Sequence, residues 1–73
     1  MPKDKVIFRV FEPEGDVIAL FPGMPEGTGF INSYQHIGQH GAATPSLIKE
    51  LRPATEEEYL PLLKELRQIG YSV

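Results

Sequence analysis

β-Branched and aromatic residues crowd Lys5-Val-Ile-Phe-Arg-Val-Phe11 and return in Asp16-Val-Ile-Ala-Leu-Phe21, which is the composition of two strands. Glu12-Pro-Glu-Gly15 between them predicts a hairpin turn: Pro13 presets φ for the second turn position, and Gly15 can take positive φ without a Cβ clash. Alternation puts Val6, Phe8 and Val10 on one face and Ile7, Arg9 and Phe11 on the other, while in the second strand Val17, Ala19 and Phe21 oppose Ile18 and Leu20. Both faces of the hairpin are therefore apolar. One covering helix would leave the second face in need of another cover, supplied by the loops or by a partner chain.

Pro22-Gly-Met-Pro-Glu-Gly-Thr-Gly29 is too rich in residues that break regular structure to continue a strand, and reads as a surface loop. Phe30 to His40 returns to strand-like composition, with Phe30, Asn32, Tyr34 and His36 on one side and Ile31, Ser33, Gln35 and Ile37 on the other; Gly38 and Gly41 end or bulge it. Leu47 to Arg52 fits a short helix or a strand, and pre-proline Arg52, which must be extended, favours the strand. A helix opens at Thr55, which forms a capping box with Glu58. Tyr59, Leu62, Leu63, Leu66 and Ile69 repeat at the spacing of one buried stripe, and Gly70 suits the left-handed C-terminal position. Pro61 lies off that stripe and predicts a bend or a shifted start. The sum is an α+β domain over residues 1–73: a three- or four-stranded antiparallel sheet with the C-terminal helix packed on one face.

Composition narrows the function classes. The longest apolar run, Val17 to Phe21, is far short of the ~20 residues of a membrane span, and no secretory signal or membrane association is expected. With no cysteine, disulfides, thiolate zinc sites and cysteine nucleophiles are excluded, and a reducing, cytoplasmic setting is expected. Seven Lys+Arg against ten Asp+Glu leave a net charge of −3, so nucleic acid is a disfavoured partner even though Lys3, Lys5, Arg9, Lys49 and Arg52 could meet phosphates.

The most informative feature is an absence. From Gly27 to Ile48 there is no Asp, Glu, Lys or Arg, although charged residues make up 23% of the chain. The segment is still polar, with Asn32, Ser33, Tyr34, Gln35, His36, Gln39 and His40 as neutral hydrogen-bonding groups. Interface centres share that chemistry, because charge is costly to desolvate and tyrosine joins contact area to a polar tip. Tyr34, Gln35, His36, Gln39 and His40, with Met24 from the adjacent loop, are the candidate binding residues; the competing reading is a strand buried within the fold. His36 and His40 also form an H-x-x-x-H pair, but zinc takes three or four protein ligands and the carboxylates nearest in sequence are Glu26 and Glu50. No metal or other cofactor is expected. Ser33, Tyr34 and His36 could be arranged for acid–base catalysis, although nothing in their spacing requires it, and Gly23 to Gly29 lacks the lysine and following helix of a phosphate cradle.

Gly15-Asp-Val-Ile-Ala-Leu-Phe-Pro22, Ser33-Tyr-Gln-His-Ile-Gly-Gln-His-Gly41 and Pro53-Ala-Thr-Glu-Glu-Glu-Tyr59, with Glu65-Leu66 and Ile69-Gly-Tyr71, resemble a family of small uncharacterised proteins of bacterial phage and mobile genetic elements. The resemblance spans nearly the whole chain. Members often carry a longer stretch before the Ser33–Gly41 motif and a different segment after it, so that motif is the shared unit. The resemblance implies a genomic setting and a bacterial cytoplasm, with no mechanism attached. An accessory protein of this size would act by binding a host protein. The expected function is a non-enzymatic protein-binding or self-associating module, with a homodimer among the outcomes; the alternative is a metal-dependent or histidine-based small hydrolase using His36 and His40.

Overall fold

The computed structural model describes residues 4–12, 14–36 and 39–73. Among these residues five strands, β1 (Ile7–Phe11), β2 (Asp16–Pro25), β3 (Ile31–Gln35), β4 (Gln39–Ala43) and β5 (Arg52–Pro53), form one antiparallel sheet in the order β4-β3-β2-β1-β5. A short helix α1 (Leu47–Glu50) precedes β5, and α2 (Glu56–Ile69) follows it. The α+β class and the C-terminal helix agree with the sequence pattern. The strand count rises to five because the neutral stretch folds back on itself and β5 adds two residues.

β1 and β2 pair as the alternation requires, from Ile7 opposite Leu20 to Phe11 opposite Asp16. Gly15 closes the turn with φ of 84° and its N–H on the Phe11 carbonyl at 2.7 Å; Pro13 lies outside the described residues. β2 then continues through Pro22 to Pro25, where a loop was expected. Pairing with β1 stops at Leu20, and the register with β3 jumps from Phe21–Asn32 to Pro25–Ile31. Pro22 thus sits inside a bulge and beyond β1, where its missing N–H costs no ladder bond. The stretch from Phe30 to His40, read as one strand, is two: the chain reverses after Gln35, and Tyr34 pairs with His40 and Gln35 with Gln39.

Each face of the sheet has its own core. On one, Ala19, Phe21 and Tyr34 meet Leu62 and Leu66 of α2, with Val6, Phe8, Val17, Met24, Tyr71 and Val73 packed around them. On the other, Ile18, Leu20, Ile31 and Ala43 are covered by Leu47, Ile48 and Leu51, together with Ile7 and Phe11. The second cover is therefore the chain's own crossing from β4 to β5, so the apolar hairpin makes no demand for a partner. Arg9 anchors the crossing, with Nε donating to the Ile48 carbonyl at 2.8 Å. Leu47 to Glu50 is helical, not the favoured strand, because the crossing must turn over the sheet between its two edges; Arg52 is extended, as a residue before proline must be.

α2 begins where the capping box places it. The Thr55 side chain accepts from the Glu58 N–H, and Glu58 reaches back to the Thr55 N–H. Gly70, with φ of 111°, ends it. The helix runs through exposed Pro61 without a shifted start. Leu62 and Leu66 are buried, but Ile69, expected on the same stripe, is 48% exposed in the last turn. Arg52 braces this end of the molecule: it pairs with Glu12 of the β1–β2 turn and gives two parallel bonds, 2.9 and 2.8 Å, to the Glu58 carboxylate.

Candidate functional site

The β3–β4 hairpin carries the neutral stretch, and its geometry divides the candidate residues. Tyr34, expected on a contact surface, is 1% exposed and belongs to the helix-side core. Alternation brings it there: Tyr34 pairs with Ala19 on one side and His40 on the other, in the middle of the sheet. Met24 is likewise half-buried against that core, with Asn32 Nδ2 contacting its Sδ at 3.7 Å, and so packs the bulge in place of projecting from a loop. Ser33, on the opposite face, is buried and donates from Oγ to the Gly41 carbonyl at 3.0 Å. Gln35 is half-buried, whereas His36, Gln39 and His40 are exposed. Ile37 and Gly38 lie outside the described residues.

Glu65, on α2, organises the inner end of this surface. Its Oε2 accepts from the Tyr34 hydroxyl and its Oε1 from His36 Nδ1. A carboxylate can only accept, so Nδ1 carries a proton in this arrangement. The Glu65 side chain is 18% exposed while that of His36 is 69% exposed, so the contact runs from the edge of the core to solvent. Sequence reasoning missed Glu65, which lies 31 residues from Tyr34 and 29 from His36. Its position on the helix, three residues after Leu62 and on the same side, is the signal that could have found it. His40 takes a different role: its ring stands edge-on to Tyr34 at 4.7 Å and lies over Tyr71 at 6.0 Å. Tyr71 in turn stacks on Phe21 at 4.8 Å and accepts from Asn32 Nδ2 at 3.2 Å.

Two small clefts flank His36. One, of about 280 Å³, is lined by Asp16, Val17, Gln35, His36 and Gln39. The other, of about 240 Å³, runs between the β1–β2 turn and α2 past Leu62 and Glu65. Neither holds a cysteine or serine nucleophile beside the imidazole. Among the described residues no three His, Cys, Asp or Glu side chains gather where they could hold a metal ion. Arg9 and Arg52, two of the five cations that could have met phosphates, are committed to contacts within the fold. No helix among the described residues is long and apolar enough to cross a membrane.

The outer side of the hairpin differs in kind. β4 is a sheet edge, and Gln39, His40, Gly41 and Ala42 are exposed, with only Ala43 tucked into the second core. An edge strand leaves alternate N–H and C=O groups unpaired within the sheet, and proteins usually blunt such edges with charge, proline or a bulge. The opposite edge is blunted: β5 has two residues, one of them Pro53 and the other the ion-paired Arg52. β4 has five residues, no charge, no proline, and an unbroken register with β3 from Gln39 to Ala43. Comparison of the chain with models of known protein families, with curated proteins and with solved structures gave no match.

Proposed function

We propose that the chain is a non-enzymatic protein-binding module that recognises an extended strand through the open edge of β4, with His36, Gln39 and His40 as the flanking polar contacts. The single observation behind this reading is the contrast between the two edges, one closed by Arg52 and Pro53 and the other five residues long and uncharged. Main-chain pairing along such an edge supplies affinity, and alternate side chains supply specificity. The resemblance to phage and mobile-element proteins suits this reading, whether the strand comes from a bacterial host protein or from a second copy of the chain.

The test replaces an exposed edge residue and leaves the core alone. Ala42→Lys puts a charge on the strand without touching either core, and its circular dichroism should match that of the wild type. The wild type should retain a specific protein from bacterial lysate that Ala42→Lys loses, and the purified partner should slow amide exchange from Gln39 to Ala43. Equal capture by both proteins, together with amide exchange from Gln39 to Ala43 that neither a captured protein nor a higher concentration of the chain itself slows, refutes the reading.

A second reading, a histidine-based hydrolase, draws on one observation: Glu65 holds His36 Nδ1 while the imidazole stays open to solvent beside two clefts. A base oriented by a carboxylate is half of the machinery that activates water or a hydroxyl. Turnover of activated esters that is lost in both His36→Ala and Glu65→Gln would support it; turnover indifferent to either substitution would dispose of it.

A further inference from the structure

We infer that the strand the β4 edge accepts is β4 of a second copy, paired antiparallel about a two-fold axis through Gly41, so that two five-stranded sheets become one. This rests on the edge-recognition reading above and names its partner.

Symmetry is the first argument. A sheet with two open edges can pair head to tail and grow into a filament, whereas β5, at two residues and closed by Pro53 and Arg52, leaves β4 as the one open edge among the described residues, to meet β4 of the copy. The contact is then isologous and closes at two copies. Charge is the second. Like charges directly opposite each other destabilise a strand pair, and a two-fold axis sets a residue against its own copy or its mirror position. An uncharged edge has no such repulsion to overcome, and Gln39 to Ala43 lies within the uncharged stretch from Gly27 to Ile48 of a chain whose net charge is −3. Size is the third. With Gly41 opposite Gly41 of the copy, His40 faces Ala42 and Gln39 faces Ala43, so each long side chain meets a methyl group and none meets another long one. The axis stands perpendicular to the sheet, which keeps both α2 helices on one face and places the two His40 rings beside the seam. Five paired residues per chain make a narrow contact, so association belongs in the micromolar to millimolar range.

Gly41→Cys tests the register directly in a chain without cysteine. A Cβ at Gly41 would meet nothing nearer than Ser33 Oγ at 3.7 Å, an ordinary contact, so the variant should fold. Directly opposed residues in an antiparallel pair have Cα atoms about 4.5–5.5 Å apart, within disulfide reach. Under mild oxidation Gly41→Cys should form a covalent dimer at least tenfold faster than the exposed control Gly23→Cys. By sedimentation the unmodified chain should pass from monomer to dimer between micromolar and millimolar concentration, with Ala42→Lys remaining monomeric. Equal crosslinking of the two cysteine variants, or a monomer throughout, overturns the inference. If the chain is monomeric while lysate capture still depends on Ala42, edge recognition stands and only the second copy falls; if capture is also indifferent to Ala42→Lys, both fall.

Discussion

Tyr34 shows how one side chain joins sheet, helix and surface. Its ring fills the helix-side core at 1% exposure, and its hydroxyl ends on Glu65, which also holds His36. Tyr34→Ala should therefore cost about 3–5 kcal/mol, as removal of a buried aromatic does. Tyr34→Phe keeps the ring and gives up the hydroxyl contact, for about 1–2 kcal/mol. Equal losses in chemical denaturation would show that the hydroxyl, not the ring, dominates. Glu58 ties the Thr55 cap to Arg52, whose guanidinium, donating to both carboxylate oxygens, lowers its pKa from 4.5 to about 2, with the Thr55 N–H adding to the effect. A carboxyl with a lower pKa folded than unfolded stabilises the fold fully above 4.5, and that contribution is lost as pH falls toward 2. Both partners are partly exposed and screened by solvent, so the effect is modest. Between pH 5 and 2.5 the melting temperature should drop further in the wild type than in Glu58→Gln, which keeps a capping side chain without the titration. Parallel declines would remove Glu58 from the account.

At the scale of elements, α2 is held by its ends and its stripe in spite of Pro61. Thr55 and Gly70 cap it, and Leu62 and Leu66 bind it to the sheet. A proline in a helix interior costs about 3 kcal/mol relative to alanine, against about 1 kcal/mol that it returns by restricting the unfolded chain. Pro61→Ala should thus raise stability by about 2 kcal/mol with the fold unchanged, since the residue is exposed and off the core. No gain would mean that the backbone has already relaxed around the ring. The β3–β4 hairpin has the opposite character: its inner strand is locked by Tyr34 and Ser33, and its outer strand has only β3 beside it among the described residues. That asymmetry is the feature on which the proposed strand pairing at β4 rests.

On the scale of the whole molecule, the crossing from β4 to β5 turns an apolar sheet into a closed one. Arg9 fastens it, so Arg9→Ala should speed amide exchange in Leu47–Glu50 ahead of global unfolding and cost about 1.5–3 kcal/mol; exchange that changes only with global unfolding would contradict this. Much of the architecture was legible in the order of residues because it rests on neighbours. The β1–β2 turn at Gly15, the two faces of that hairpin and the cap-to-cap span of α2 depend on alternation, helical spacing and local capping, all properties of short windows. Contacts between distant segments were not legible. Whether Phe30 to His40 runs straight or reverses depends on β2 offering a pairing edge to β3 and β3 offering one to β4; Pro22 is tolerated in a strand because it falls in the bulge between the Phe21–Asn32 and Pro25–Ile31 pairs, and Pro25 because it stands at the strand's last position, beyond the reach of β1. The uncharged stretch was conspicuous in the sequence, but its meaning was divided by the sheet, which drew Ser33 and Tyr34 inward and left Gln39 to Ala42 at the rim. Chain order by itself determined which residues are apolar, how they alternate and where the last helix starts and stops. Only the tertiary structure decided which strand became an edge, since an edge is defined by the neighbour it lacks.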